Sequence, residues 1–75
     1  MDMDEKLERF GEILIERISG YEPMENIRMN CNEVAEELNL NIFKMDVYKQ
    51  NGSNILRVEF EDEDYGILHT TVYFN

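Results

Sequence analysis

Apolar residues recur in two rhythms along this chain, and the change from one to the other falls near Asn41. Before it, intervals of three and four dominate: Leu7, Phe10, Leu14 and Ile18, then Met24, Ile27, Cys31, Val34 and Leu38. Such intervals stack side chains on one face of an α-helix. After it, alternation takes over in NIFKMDVYKQNGSNILRVEF, residues 41–60, and resumes from Ile67 to Phe74. Alternate residues of a strand point to opposite faces, so these stretches read as half-buried β-structure. The pattern predicts two helices followed by three strands.

Within residues 41–60, Asn51-Gly52 suits a two-residue type I′ turn, in which both central residues need positive φ. That turn sets Gln50 opposite Ser53 and fixes the register. Val47 then meets Leu56, Met45 meets Val58 and Phe43 meets Phe60 on one face. Asp46 meets Arg57 and Lys44 meets Glu59 on the other. Cross-strand pairs of this kind contribute about 0.2–1 kcal/mol each. A slip by one residue would put the two faces out of phase. Turn chemistry, apolar alternation and charge pairing therefore agree on one hairpin.

Asp2 or Asp4 can cap the first helix, and Glu5 adds favourable charge to its first turn. Ile13 and Ile15 widen its apolar stripe. Glu5 and Arg9 stand four apart and attract, whereas Glu8 and Glu12 repel. Gly11 weakens the helix locally and suggests close approach to the second helix. Gly20 is the expected stop signal. Pro23 can open the second helix, with Ala35 joining its apolar face. A shorter alternative begins after Asn30, because Asn30-x-x-Glu33 resembles a capping box. The longer helix keeps Met24 and Ile27 in phase with the later apolar residues and is preferred.

Glu61-Asp62-Glu63-Asp64-Tyr65-Gly66 interrupts the β-pattern. A connection of three or five residues pairs Asp62 with Gly66, Phe60 with Leu68, Val58 with Thr70 and Leu56 with Val72. Glu59-His69 and Arg57-Thr71 fall on the outer face, and Gly66 can supply positive φ at the bend. The fold expected is α+β: two N-terminal helices packed on a three-stranded antiparallel β-meander, in ααβββ order and two layers. Its core would use the two helical stripes together with Phe43, Met45, Val47, Leu56, Val58, Phe60, Leu68, Val72 and Phe74. Ile42, Tyr48, Ile55, Ile67 and Tyr73 would lie on the opposite, outer sheet face.

Length limits the rest. Residues 1–75 make a single domain, which buries only about 60% of its extended surface. With 43% hydrophobic residues the chain has enough for one small core. Seventeen Asp and Glu against seven Lys and Arg give a formal net charge of -10. That balance argues against direct binding to nucleic acid or to an anionic membrane, and favours a basic partner. A solubilising surface with no specific target is the plainer alternative. No apolar run is long enough to span a membrane, and the acidic start MDMDEKLERF does not read as a secretory signal. With Cys31 as the sole cysteine there is no internal disulfide, which suits a reducing, cytoplasmic setting.

Little in the chain promises chemistry. Cys31 sits in an apolar stripe and reads as a core thiol. A nucleophilic role would need exposure and a nearby base, and His69, the sole histidine, is expected to face away from the core. The 61–64 cluster lacks the spacing of an EF-hand loop. One Cys and one His do not make a structural zinc site. No phosphate-cradling glycine loop, HExxH, CxxC or GxSxG occurs. No catalytic residue, cofactor or metal is therefore assigned, and the chain is read as a non-enzyme.

Two binding readings follow. In the first, the chain is an acidic protein-binding module, an inhibitor that imitates nucleic-acid charge and occupies a basic, nucleic-acid-binding protein. Glu59, Glu61, Asp62, Glu63 and Asp64 would carry it, with Glu5, Glu8, Glu12 and Glu16 adding a stripe along the first helix. In the second, the outer sheet face joins another subunit or a second copy of the chain. Tyr48 and Tyr73 would then stand at its centre beside Ile55 and Ile67, with Arg57, Glu59 and His69 around them.

Overall fold

The computed structural model describes residues 2–19 and 21–74. Helix α1 spans Met3–Arg17 and helix α2 spans Met24–Glu37. The strands are β1 (Ile42–Gln50), β2 (Ser53–Asp62) and β3 (Gly66–Tyr73), in the antiparallel order β1-β2-β3. This is the α+β arrangement that the change of rhythm predicts. No helix among the described residues is long and apolar enough to cross a membrane.

Local chemistry explains the helix ends. Asp2, not Asp4, caps α1, its Oδ1 accepting the Glu5 N–H at 2.8 Å. The helix closes at Arg17, with Ile18 already extended; Gly20, the expected stop, lies outside the described residues. α2 is the longer of the two alternatives, opening behind Pro23. Asn30 lies inside it and donates back to the Asn26 carbonyl at 2.8 Å instead of capping. Its C-terminus folds into a Schellman motif: Asn39 adopts φ 57°, its N–H meets the Glu36 carbonyl at 3.1 Å, and the Leu40 N–H meets the Ala35 carbonyl at 2.7 Å. That closure turns Leu40 into the core, where it is buried. Neither the helical nor the strand periodicity includes Leu40, so the pattern alone does not place it there.

Asn51 and Gly52 have φ 52° and 85°, as a type I′ turn requires. From Gln50↔Ser53 to Lys44↔Glu59 the β1–β2 register is the expected one. It then shifts between Ile42 and Lys44, so that Ile42, not Phe43, lies opposite Phe60. The extra residue reverses two assignments. Phe43 stands 58% exposed, whereas Ile42 packs against the core. The β2–β3 register agrees throughout, from Leu56↔Val72 to Asp62↔Gly66, and Gly66 has φ 77°.

α2 lies over β1 and α1 over β3, with the helices touching along the middle. Central β2 is therefore covered best: Leu56 and Val58 are fully buried and Phe60 nearly so. Phe10 of α1 meets Phe60 edge-to-face, ring centroids 5.1 Å apart at 83°. Ile27, Cys31 and Val34 close the core from α2, and Val72 and Phe74 from the end of the chain. Leu7, Ile13, Met24, Leu38 and Met45 pack at its margin, while Leu68 is only half-buried and Ile15 is exposed. Gly11 faces β3 and not the second helix; a Cβ there would lie 3.9 Å from Val72 Cγ2. Arg9 turns towards Glu12, at 3.7 Å, in place of the expected Glu5. Arg17 and Glu37, the last residues of the two helices, form a bidentate pair at 2.7 and 2.8 Å.

Candidate functional site

The strand register sorts the nine residues expected to bind a partner into two groups. Tyr48, Arg57, Glu59, His69 and Tyr73 share the outer sheet face, with Glu61 at its end. Asp62, Glu63 and Asp64 lie at or in the β2–β3 turn. The helices pack on the other side, so no layer among the described residues covers the outer face.

Three cross-strand rows build that face. Tyr48, Ile55 and Tyr73 form the first, Asp46, Arg57 and Thr71 the second, and Lys44, Glu59 and His69 the third. Ile55 departs from the exposure that its face implies. It is only 4% exposed, yet it lies outside the helical core. Its place on the central strand, flanked by two tyrosines, accounts for that burial. The tyrosines themselves remain exposed at 43% and 65%.

Next to this row the charges alternate. Lys44, Asp46, Arg57 and Glu59 surround a shallow hollow of about 170 Å³. They oppose one another in the expected register, but neither cross-strand pair closes into an ion pair among the described residues. The four charges are balanced two against two.

The acidic turn has a local explanation in part. Asp62 Oδ2 accepts the N–H groups of Asp64 at 2.9 Å and Tyr65 at 3.0 Å. This carboxylate shapes the bend before Gly66, as Asp does in Asx-turns. Glu61, Glu63 and Asp64 have no such engagement and are exposed. Asp2, Met3 and Asp4 line a second hollow together with Tyr65 and Leu68. The acidic start of α1 thus sits beside the acidic turn, a contact between distant segments that no spacing in the sequence announces. From there Glu5, Glu8, Glu12 and Glu16 run along the solvent side of α1, all exposed.

Chemistry finds no purchase at the lone thiol. Cys31 is fully buried, and burial pushes its thiol up to about 12. It remains protonated and unreactive at neutral pH. His69 is on the far side of the sheet, so the two never form a nucleophile–base pair. No three His, Cys, Asp or Glu side chains gather to hold a metal ion among the described residues. One buried polar group leaves no mark in the sequence pattern. Asn54, 1% exposed, donates from Nδ2 to the Glu22 carbonyl at 2.7 Å and ties the segment before α2 to the central strand. Its Oδ1 has no partner among the described residues.

No protein-family model, curated protein or solved structure matches this chain, so the site rests on its own geometry.

Proposed function

We propose that this chain is a non-catalytic, acidic protein-binding module whose carboxylate-bearing side occupies a basic protein surface of the kind that holds nucleic-acid phosphates. The observation that supports this reading is the meeting of two acidic segments at one end of the molecule. Asp2 and Asp4 adjoin the Tyr65 turn, and the row continues through Glu5, Glu8, Glu12 and Glu16. With about 1.5 Å rise per residue, carboxylates three or four apart recur every ~5 Å along the helix. One phosphate strand of DNA presents a charge every ~3.4 Å. The helix is thus a sparser row than a nucleic-acid strand, and the acidic turn extends it. Eleven of the seventeen carboxylates and four of the seven cations precede Asn41, which leaves the helical layer strongly negative. Such a field speeds encounter with a basic surface and selects against acidic ones. A cytoplasmic inhibitor of a nucleic-acid-binding protein fits this surface.

Capture from the host lysate tests it, at about 50 and 200 mM salt, the range over which phosphate-type contacts weaken most. The wild-type chain should retain a basic nucleic-acid-binding protein at low salt, lose it at high salt and release it to added duplex DNA. A variant with Glu5→Gln, Glu8→Gln, Glu12→Gln, Glu16→Gln, Glu63→Gln and Asp64→Asn should retain none. Equal capture by that variant, or capture indifferent to salt and DNA, would overturn the proposal.

A further inference from the structure

The outer sheet face has a different electrostatic character from the rest of the surface, and it suits a different occupant. On a chain of net charge -10, the four-residue patch of Lys44, Asp46, Arg57 and Glu59 is locally neutral. Like signs lie on its diagonals: Lys44 pairs in register with Glu59, and Asp46 with Arg57. A checkerboard of this kind is self-complementary. A two-fold axis lying in the plane of the face and running across the strands exchanges the two rows. Lys44 then faces Asp46 of a second copy, and Arg57 faces the second copy's Glu59.

The same axis brings apolar residues together at the two edges of the face. It carries the Tyr48–Ile55–Tyr73 row onto the opposite end, where Phe43 and Ile67 stand 58% and 47% exposed on either side of Glu61, so that Ile55 faces Glu61 of the other copy. Tyr73 meets Ile67 of the other copy, and Tyr48 meets its Phe43. Packed sheets lie about 10 Å apart, a gap that a lysine or arginine on one and a carboxylate on the other together span. We infer that the outer face is a two-fold interface with a second copy of this chain, centred on Lys44, Asp46, Arg57 and Glu59.

Size sets the strength. The molecule measures 37 × 19 × 17 Å, so this face is small, roughly 700 Å² in projection. Stable interfaces bury about 800 Å² per partner. The dimer is accordingly weak and concentration-dependent, and it leaves the acidic helical side of both copies free. It stands independently of the function proposed above.

Sedimentation equilibrium on the full chain tests it. The wild type should pass from monomer to dimer as concentration rises into the upper micromolar and millimolar range. Arg57→Glu alone sets two carboxylates against each other, and Glu59→Arg alone sets two cations against each other. Each should weaken dimerisation by about tenfold or more. Mixing the two variants restores opposite charges at both contacts, so the mixture should form a heterodimer at wild-type concentrations. That rescue is specific to the axis across the strands, because an axis along them would set the introduced carboxylate at position 57 against Asp46. A wild type that remains monomeric at millimolar concentration overturns the inference. So does a dimer indifferent to either substitution, or a mixture that fails to recover. Each substitution also replaces an opposite-charge pair within the sheet, with Asp46 or with Lys44, by a like-charged one, which should lower the melting temperature slightly; unchanged circular dichroism confirms that the fold is intact.

Discussion

The two faces of β2 share one backbone and the same pair of neighbouring strands, yet they serve opposite ends. Asn54, Leu56, Val58 and Phe60 point towards the helices and are at most 1% exposed. Arg57 and Glu61, pointing the other way, are exposed, and Glu59 is half-buried. Strand pairing cannot cause that difference, since both faces have it equally. The covering layer causes it. Ile55 adds a refinement: on the uncovered face a central-strand residue can still be buried when tyrosines flank it on both sides. Alternation thus decides which way a side chain points, while the neighbours decide how much water it meets.

The largest expected effect tests this division directly. Phe60→Ala removes a ring packed against Phe10 and should destabilise the fold by about 3–5 kcal/mol. A domain of this size has about 4–11 kcal/mol in total, so the variant should lose roughly half of its stability and unfold at a much lower urea concentration. Tyr73→Ala, on the other face, should cost under about 1 kcal/mol, the loss of a cross-strand pair. Urea denaturation of both variants makes the comparison. Equal losses would mean that the outer face is as tightly packed as the inner one.

The sequence makes the same division legible along most of the sheet, and the departures have definite physical causes. Asn51-Gly52 fixes the first hairpin because positive φ at two adjacent residues restricts the turn chemistry so narrowly. The second hairpin follows from Gly66 and an aspartate that binds its own turn. Phe43 and Ile42 exchange faces because a bulge adds one residue, and a period of two contains no mark of it. Leu40 enters the core through helix-end geometry, not periodicity. At the candidate site, the outer-face rows follow from register alone. The contact between Asp2, Asp4 and Tyr65 depends on how α1 lies across the sheet, which is a tertiary fact. Asn54 belongs to the same class, since its partner Glu22 lies 32 residues away.

A smaller effect, of opposite sign, sharpens the description of the covered face. Gly11 lies within α1 and looks towards Val72, where an added Cβ would make an ordinary contact at 3.9 Å. Helix interiors favour Ala over Gly by about 0.8–1.0 kcal/mol, partly because Ala restricts the unfolded chain. Gly11→Ala should therefore raise stability by about 1 kcal/mol, seen as a higher urea midpoint with an unchanged slope. Destabilisation would show that α1 and β3 approach more closely than that distance allows, and that the seam depends on the absence of a side chain.

The smallest effect concerns how the cover is held at its rim. Arg17 and Glu37 join the last turns of the two helices, and the hydrogen bond from Arg17 holds the Glu37 carboxyl below the usual glutamate range. A carboxyl whose folded value is depressed stabilises above its unfolded value, and that stabilisation disappears as pH falls through the folded value. Glu37→Gln should therefore lower the denaturation midpoint slightly at pH 7. The difference between variant and wild type should begin to shrink below about pH 4.3, the ordinary glutamate value, and vanish once the folded carboxyl is protonated. Both side chains are exposed, so added salt should also narrow the gap at pH 7. No gap at pH 7 would mean that Glu37 contributes only through its methylenes, which glutamine retains, and the cover would then be held by apolar contact alone.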